Sequence, residues 1–317
     1  MNAQLSQKTL SEKAVRRQKS WFYFRNHYIL YLMLVPVIAY YIIFHYVPMG
    51  GLIIAFKDYN MFRGMLASEW VGFNNFIEIF RLPEFFRSIR NTLVLNVLSL
   101  VFGFPAPIIL ALMLNELKAN LFKKTVQTLL YLPHFISWVV VGGMMYQIFS
   151  STTGMVNQAI KAVSGKTIPF LTNPNWWIAT YFVVGVWHGI GWGAIIYLSA
   201  ITGVDAEIYE AAKVDGCGRI RTIFSITLPN IMGTVMIMLI LRIGSMASIG
   251  FEQPLSLSND TVREVGDVIS TYVYRIGIQN NRFSISTAVG LFQSVINFIL
   301  VVGANQTSKK LTEQAIW

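Results

Sequence analysis

The sequence predicts an all-α membrane protein that crosses the bilayer about six times. Its 317 residues are 54% hydrophobic and only 13% charged, whereas soluble domains carry about 25% charged residues. The apolar residues are also gathered into six long runs, and each run is close to the roughly 20 residues that a spanning helix needs. The low charge content and the length of the runs together exclude an ordinary soluble domain.

The six runs define a transmembrane domain over residues 28–306, between tails of residues 1–27 and 307–317. The expected spans are residues 28–47, 92–114, 128–149, 177–201, 228–250 and 285–304. In the second span Pro105 predicts a kink, whose freed carbonyl groups must be satisfied inside the bundle. In the third span Gly142-Gly143 predicts a close approach of two helices.

Basic residues flank the runs and predict their orientation. Residues 1–27 contain six basic residues and one acidic residue. The basic ones are Lys8, Lys13, Arg16, Arg17, Lys19 and Arg25. Positively charged segments beside spans stay in the cytoplasm, so six crossings place both termini inside, with Lys309 and Lys310 just beyond the last span. The loop of residues 116–124 then also lies inside. These flanks explain the net charge of +10, and no nucleic-acid partner is expected.

One charged side chain, Arg242, falls well inside the fifth run. A charge at that depth costs at least about 2.5 kcal/mol unless it is paired or hydrated. Arg242 is therefore a candidate residue of a translocation path, and the alternative is a structural role in which it binds the carbonyl groups of a kinked helix. Gln293 and Asn297 in the sixth run also need partners, either on a neighbouring helix or in a pore.

The fourth run contains Trp187, His188 and Trp192 among several glycines. Tryptophan offers a flat apolar face beside a hydrogen-bonding tip, which suits the binding of sugars. The three residues are candidates for contact with a substrate on a translocation path. The alternative is that they pack within the bundle or anchor the helix at the membrane interface.

A polar stretch, residues 204–229, interrupts the apolar sequence and predicts two short amphipathic helices joined by a tight turn. Asp205 can cap the first helix, and Asp215-Gly216 ends it, because glycine tolerates a positive φ. The second helix carries apolar residues up to Phe224. Pro229 begins the next apolar run, at a position where a helix accepts proline. We call this stretch the hook.

The hook resembles the EAA signature of importer permeases of the ATP-binding-cassette class. The matching positions are Glu210, Ala211, Ala212, Asp215, Gly216, Phe224, Ile226, Leu228 and Pro229. Two positions depart from the family pattern, because Asp205 stands where proline is frequent and Cys217 where alanine is usual. The resemblance implies two cytoplasmic coupling helices, in which Glu210 and the turn dock on an ATPase subunit. It also implies that Phe224 and its apolar neighbours anchor the hook to the bundle.

The same resemblance implies the partners. The chain would form half of a translocation pathway in the cytoplasmic (inner) membrane, together with a second homologous permease subunit. A dimer of ATPase subunits would bind ATP and Mg²⁺, so this chain needs no cofactor of its own and is not an enzyme. An extracytoplasmic solute-binding protein would deliver the substrate at the outer face, where Glu252 and Gln253 are candidate contacts.

A substrate class also follows from resemblance. Residues 50–60 and 70–76, in the first outer segment, are similar to sugar permeases for complex oligosaccharides. An oligosaccharide or polysaccharide fragment is therefore expected, and Arg242 would suit an acidic sugar such as a uronate chain. The alternatives are a non-sugar solute and an ion-coupled secondary transporter. The latter often has intramembrane carboxylates, whereas no Asp or Glu lies inside the six runs.

The sequence lacks the motifs of common catalytic sites. It contains neither a P-loop nor a G-x-S-x-G nucleophile motif. Its four histidines are scattered, at positions 27, 45, 134 and 188, so no metal site is expected. Its single cysteine excludes a disulfide within the chain. These observations predict a transport subunit and not a catalytic one.

Overall fold

A computed structural model of the chain is helical almost throughout the part that it describes. The described residues are 23, 26–117 and 119–312, without the side chains of residues 308 and 310–312. The basic residues expected in the N-terminal tail, Lys118, the side chain of Lys310 and the end of the C-terminal tail lie outside this description.

Short interruptions divide the helical chain into many elements. The α-helices, numbered in chain order, are α1 (Tyr28–Tyr41), α2 (Val47–Met49), α3 (Gly64–Ala67), α4 (Asn74–Ile79), α5 (Pro83–Leu98), α6 (Pro105–Asn115), α7 (Asn120–Tyr131), α8 (Trp138–Phe149), α9 (Met155–Ser164), α10 (Pro174–Thr202), α11 (Ala206–Val214), α12 (Arg219–Thr222), α13 (Leu228–Asn230), α14 (Met232–Gly244), α15 (Glu252–Leu257), α16 (Arg263–Gly266), α17 (Ile269–Tyr274) and α18 (Phe283–Thr312). The strands are β1 (Lys57–Asp58) and β2 (Glu69–Trp70). The 3₁₀-helices are Gly50–Phe56, Leu132–Phe135 and Asp260–Val262, and the π-helices are Ile42–Tyr46, Ser99–Gly103, Ile223–Thr227 and Arg275–Gln279.

Among the described residues, four helical segments are long and apolar enough to cross a membrane on their own. They are Tyr28–Phe56, Pro83–Asn115, Pro174–Thr202 and Phe283–Thr307. Two pairs of helices meet the same test together, although each pair is sharply bent. Asn120–Phe135 and Trp138–Phe149 meet at 102°, and Arg219–Asn230 and Met232–Gly244 meet at 63°. Counting each pair as one span gives six, which overlap the six apolar runs, and we number them spans 1 to 6 in chain order.

The chain divides into two compact units, Met1–Ile54 with Tyr59–Glu69 and Ala55–Asp58 with Trp70–Trp317. The first unit contains most of span 1, whose most apolar window has none of its residues buried. An apolar helix with no polar face belongs in apolar surroundings such as a bilayer.

In the second unit, three clusters of buried apolar side chains hold the helices together. The first surrounds Trp177, which packs against α8 and α15 and donates from Nε1 to the carbonyl of Leu257 at 2.8 Å. The second joins α6, α10 and α14 around Tyr197. The third joins α5, α17 and α18 around Phe85 and Tyr272. Spans 2 to 6 therefore share a continuous packed framework.

Three of the π-helices have a cause in the sequence, because a proline lies two residues after each of them. Pro48 follows Ile42–Tyr46, Pro105 follows Ser99–Gly103, and Pro229 follows Ile223–Thr227. In an α-helix proline has no N–H to donate, and its ring collides with the carbonyl four residues earlier. A π-turn before the proline shifts the hydrogen-bond pattern by one residue and keeps the helix continuous: Phe104 N, next to Pro105, donates to the carbonyl of Ser99 at 2.9 Å. At Pro105, where a kink is expected, the structure has this π-turn within one helical segment, Pro83–Asn115.

The second helix of the hook extends further than the sequence indicates. α12 continues through the π-helix Ile223–Thr227 into α13, and the 63° bend comes after Asn230. Pro229 therefore lies inside the end of this helix and does not begin the next one. The π-turn before Pro229 allows this continuation, and the bend falls at Ile231, the residue that separates α13 from α14.

The segment of residues 254–283, which connects spans 5 and 6, is partly buried in the core although it carries several charges. Val268 and Tyr272 are fully buried there. Asp267 is only 6% exposed, accepts from Arg275, and forms a partly buried ion pair with it. Arg275 also lies 3.2 Å from Glu84 on α5. Charges in this segment are thus used in internal pairing, which ties the end of α17 to the start of span 2.

Two side chains of this segment, Tyr272 and Arg275, have pKa values that their surroundings raise. Burial raises the pKa of Tyr272 to about 12, and the nearby Glu84 carboxylate adds to the shift. Burial opposes the charge on Arg275, but the attraction of Asp267 and Glu84 outweighs it, so the pKa of the guanidinium is raised. Tyr272 therefore stays neutral and Arg275 stays charged at any pH at which the protein works.

Glycines bring helix backbones into direct contact around span 4. A Cβ atom at Gly191 would lie 2.0 Å from the carbonyl oxygen of Leu130 in span 3. A Cβ atom at Gly142 would lie 2.6 Å from the carbonyl oxygen of Ser256. The close approach expected from Gly142-Gly143 is therefore confirmed at Gly142, whereas Gly143 faces open space.

Substituting alanine at Gly191 tests this contact. The added methyl group meets backbone that cannot move aside easily, so we expect Gly191→Ala to destabilise the protein by about 1–3 kcal/mol. Gly189→Ala is the matched control on the same helix, because nothing lies within 4 Å of its Cβ position. Thermal unfolding in detergent should show a lower midpoint for Gly191→Ala alone. Equal midpoints for the two variants would contradict the contact.

Candidate functional site

The hook is a helix–turn–helix, as the sequence predicts. Asp205 caps α11, because its Oδ1 accepts from the backbone N–H of Glu207 at 3.0 Å. The helix ends at Gly216, whose φ is +72°. Cys217 N then donates to the carbonyl of Ala212 at 2.9 Å, which satisfies one of the open carbonyl groups at the helix end. The turn is therefore rigid and depends on a glycine at position 216.

The surface of the hook combines polar signature residues with exposed apolar side chains. The exposed signature residues are Glu210, Ala211, Asp215, Gly216, Phe224 and Pro229, whereas Ala212 is buried. The apolar side chains of Val214, Ile220 and Phe224 are 88%, 74% and 64% exposed. Three large apolar side chains this exposed within one short segment are typical of an interaction surface.

Phe224 is therefore not the residue that anchors the hook to the bundle, although the sequence analysis expected it to be. Two other contacts hold the hook in place. Tyr209 Oη donates to Thr227 Oγ1 at 3.2 Å, which joins the two hook helices. Leu228 packs against the apolar cluster around Tyr197. The exposed face that includes Phe224 remains available to a partner.

A cavity of about 380 Å³ lies within the second unit, between spans 2, 4 and 5. Ligand pockets measure about 300–1,000 Å³, so this volume suits part of a larger ligand. Its polar lining residues are Asn96, Ser99, Tyr181, Tyr197, Arg242, Ser248 and Gln253. Gly185 and Gly189 of α10 form part of the same wall. Small residues of span 4 thus leave room beside hydroxyl, amide and guanidinium groups.

Arg242 is the charged group of this cavity. Its Nη2 donates to Ser99 Oγ at 2.6 Å, which joins span 5 to span 2. No carboxylate among the described residues forms an ion pair with Arg242. A guanidinium has five N–H donors, and in this part of the chain the others have no acceptor. The cavity therefore offers a cation whose charge and most of whose donors are available.

Beyond Gly244 the backbone of span 5 stays irregular over residues 245–251, which we call the break. Asn96 of span 2 reaches across and donates from Nδ2 to the carbonyls of Met246 at 2.7 Å and Ser248 at 3.1 Å. Irregular backbone at membrane depth is tolerated only where protein groups satisfy it. Asn96 supplies the hydrogen bonds that these two carbonyl groups need, and it also lines the cavity.

Gln293 and Asn297 complete the support of the break from span 6. Gln293 Nε2 donates to the carbonyl of Ala247 at 2.6 Å. Asn297 Nδ2 donates to Ser248 Oγ at 2.6 Å, and its Oδ1 accepts from Ala247 N at 3.2 Å. Of the two alternatives left open by the sequence, both residues therefore take partners on a neighbouring element and do not line the cavity.

The bend of span 3 is braced by aromatic side chains. His188 Nε2 donates to the carbonyl of Ile136 at 3.0 Å, where α8 has not yet begun. Its ring stacks on Trp138 with centroids 4.1 Å apart. His134 stacks on Trp192 with centroids 4.6 Å apart. His188 and Trp192 thus hold span 4 against the bend, in the packing role that was the alternative to substrate contact.

Trp187 also lies away from the cavity and is 39% exposed. The face of α10 that lines the cavity carries Gly185, Val186 and Gly189 instead. Of the six residues expected on the path, Arg242 alone lines the cavity. The sequence analysis missed Asn96, although a polar residue in an apolar run was the same signal that identified Gln293.

Glu252 and Gln253 occupy different environments. Glu252 is exposed, and its contact with a binding protein remains a prediction. Gln253 instead points inward, where its Nε2 donates to the carbonyl of Tyr181 at 3.1 Å and lines the cavity. Within the described residues, no group of three His, Cys, Asp or Glu side chains could hold a metal ion.

The sequence model of a known protein family matches most of the spans. The sequence model of the family described as "Binding-protein-dependent transport system inner membrane component" matches residues 103–312. The matched region includes the hook, the cavity residues of spans 4 and 5, and the break.

Individual relatives cover nearly the whole chain. Protein LplB of Bacillus subtilis is 46% identical over 91% of this chain and 91% of its own length. The polygalacturonan/rhamnogalacturonan transport system permease protein YteP of the same organism is 48% identical, over 91% of this chain and 90% of its own. A crystal structure of a bacterial ABC transporter involved in the import of the acidic polysaccharide alginate contains a chain that is 41% identical. That chain superposes with a TM-score of 0.85, over 93% of this chain and 99% of its own length.

The support of the break can be tested at Gln293. We expect Gln293→Leu to leave the Ala247 carbonyl without a donor and to destabilise the protein by about 1–3 kcal/mol. The control is the neighbouring Ser294→Ala, because that hydroxyl is exposed and bonds only within its own helix, to Gly290. A thermal midpoint that falls for Gln293→Leu and holds for Ser294→Ala is the expected result. If both variants unfold at the wild-type temperature, Gln293 does not support the break.

Proposed function

The chain belongs to the family of binding-protein-dependent transport system inner membrane components, and we propose on that basis that its cavity carries part of an acidic oligosaccharide across the membrane. It is the permease subunit of an ATP-binding-cassette importer, and the hydrolysis of ATP belongs to a separate subunit.

The observation that carries the substrate proposal is the unpaired cation in the cavity. A guanidinium inside an apolar span costs several kcal/mol unless an anion or water balances its charge. Arg242 makes one hydrogen bond, to a neutral hydroxyl. A sugar carboxylate can approach it with paired, charge-assisted hydrogen bonds, which are about twice as strong as neutral ones. Arg242 thus favours an acidic substrate over a neutral one.

The other polar lining groups suit the remainder of a sugar. Tyr181, Tyr197, Ser248 and the amides of Asn96 and Gln253 border the same cavity. Hydroxyl and amide groups donate and accept hydrogen bonds without adding charge, which is what sugar hydroxyls require. The alginate importer and the polygalacturonan/rhamnogalacturonan permease among the relatives support the same substrate class. A non-sugar solute would not need this mixture of one cation and several neutral groups.

Partner proteins complete the transporter to which this chain belongs. A related crystal structure holds a bacterial alginate ABC transporter in complex with an alginate pentasaccharide-bound periplasmic protein. By the same logic, we assign to this chain a second homologous permease subunit, a pair of ATPase subunits that bind ATP and Mg²⁺, and an extracytoplasmic solute-binding protein. The exposed apolar face of the hook is the surface that an ATPase subunit would cover, and Glu252 is a candidate contact with the binding protein.

We infer the orientation of the chain from basic residues at two places. Lys123 and Lys124 lie at the start of span 3, and Arg219 and Arg221 lie in the hook, two crossings later. An even number of crossings puts both groups on one side, and basic loops favour the cytoplasm. We therefore place the hook and both termini in the cytoplasm.

Replacing Arg242 tests the substrate assignment. In proteoliposomes that contain the complete transporter and its binding protein, we expect Arg242→Gln to reduce the uptake of a uronate tetrasaccharide at least about tenfold. This factor corresponds to the loss of one charge-assisted interaction. Arg242→Lys, which keeps the charge but loses the paired geometry, should retain part of the uptake. If Arg242→Gln transports the acidic sugar normally, the cavity does not recognise its carboxylate.

The role of the hook is tested with two glycines of the same turn. Gly216→Ala places a side chain at φ +72°, which costs about 1–2 kcal/mol and distorts the turn. Gly218→Ala is the matched control, because Gly218 has φ −72° and open space around it. We expect Gly216→Ala, and also Glu210→Lys, to insert normally but to lose ATPase stimulation by substrate. If substrate stimulates ATP hydrolysis normally in both variants, the hook does not dock on the ATPase subunit through Glu210 and this turn.

A further inference from the structure

We propose that the hydrogen bond between Arg242 and Ser99 is a latch. It holds span 5 in a resting position until a substrate carboxylate takes the place of Ser99, and its release transmits the occupancy of the cavity to the hook. The inference rests on the proposed function, because it takes the substrate to be an anion that binds Arg242. It adds a role for Ser99 and a physical route between the two ends of span 5.

The route is α14, Met232–Gly244, which we call the strut. It is an uninterrupted helix of 13 residues, bounded by the 63° bend on one side and by the break on the other. A helix of this length extends about 20 Å. Arg242 lies in its last turn, next to the cavity. Its first residue, Met232, follows the bend at Ile231, two residues after the end of the hook. One rigid element therefore joins the cation of the cavity to the hook.

The hydrogen bond of the latch can be replaced by a stronger one to a carboxylate. Ser99 is the first residue of the π-helix Ser99–Gly103, so its carbonyl is already used by Phe104 N at 2.9 Å. Its hydroxyl accepts from Arg242 at 2.6 Å. A neutral hydroxyl accepts one hydrogen bond from the guanidinium, whereas a carboxylate accepts two in parallel and carries the opposite charge. A sugar carboxylate in the cavity is thus the stronger partner and displaces Ser99.

The geometry at the outer end of the strut converts this exchange into movement at the inner end. Asn96, Gln293 and Asn297 hold the break to spans 2 and 6. Just before the break, Gly244 lies so close to Val301 of span 6 that a Cβ atom there would be 2.2 Å from Val301 Cγ2. This contact makes the outer end a fulcrum. A rotation of about 5° there moves the inner end of a 20 Å helix by about 2 Å, and packed elements amplify shifts of this size.

The test uses the complete transporter in proteoliposomes and measures ATP hydrolysis with and without binding protein loaded with a uronate tetrasaccharide. Ser99→Ala removes the acceptor of the latch, so we expect the resting rate to rise about fivefold, the factor that one hydrogen bond supplies. The ratio of the rate with loaded binding protein to the resting rate should fall by the same factor. Ser99→Thr keeps a hydroxyl and should return the resting rate towards that of the wild type. Ser294→Ala, at an exposed position of span 6, should leave both rates unchanged.

A second readout follows the hook directly. Cys217 is the single cysteine of the chain and lies partly exposed in the hook. A spin label at Cys217, in a transporter whose partner subunits lack cysteine, should change its mobility in the wild type when the loaded binding protein is added. In Ser99→Ala the changed spectrum should be present before any substrate is added. A purely structural role of Ser99 would alter stability without producing this spectrum.

The outcomes separate the latch from the proposed function. If Ser99→Ala gives wild-type rates and a wild-type resting spectrum while Arg242→Gln loses acidic uptake, the latch is wrong and the substrate assignment stands. If Arg242→Gln still transports the uronate tetrasaccharide, both are wrong. A raised resting rate in Ser99→Ala and its rescue in Ser99→Thr, together with the loss of acidic uptake in Arg242→Gln, support both.

Discussion

Where a helix breaks inside an apolar layer, its free N–H and C=O groups can be satisfied only by other parts of the protein. This chain meets the constraint in two ways. Where proline interrupts a helix, as at Pro105 and Pro229, a π-turn in front of it keeps the hydrogen bonds within the helix. Where the backbone opens completely, in residues 245–251, amides from spans 2 and 6 supply the donors. The second solution has consequences beyond stability, because it decides which spans are held together.

The break brings together groups that the sequence keeps far apart. Asn96 satisfies the break and also lines the cavity, so the wall of the cavity and the support of span 5 share a residue. Gln253 lies at the start of α15, just past the break. Its side chain is directed inward and donates to the carbonyl of Tyr181 on α10. The strut therefore ends in a fixed support on one side and in a bend on the other. This asymmetry is what allows a local change at Arg242 to have an effect at the hook.

Much of this arrangement could be predicted from the sequence, and the limits of prediction have physical reasons. The six runs, the cap at Asp205 and the turn at Gly216 are local signals, and all three are present in the structure. Arg242 stood out because a charge in an apolar run is costly wherever it points. The directions of Trp187 and Trp192 depend on how α10 is rotated about its axis, which composition does not encode. The pairing of Asp267 with Arg275 was hidden for a similar reason, since charged loop residues become buried only when α17 packs against α5.

Each end of the strut carries groups that the described part of the chain leaves without a partner. At the hook end, Val214, Ile220 and Phe224 expose apolar surface beside polar residues, and such surface is unfavourable in water until a partner covers it. At the cavity end, Arg242 carries a charge that no described carboxylate balances. Each end is thus stabilised by binding, and the helix between them is stiff. A helix that joins two incomplete sites couples them thermodynamically whenever the two occupants prefer different positions of it. An importer needs such coupling, because hydrolysis on one side of the membrane must depend on substrate that arrives from the other.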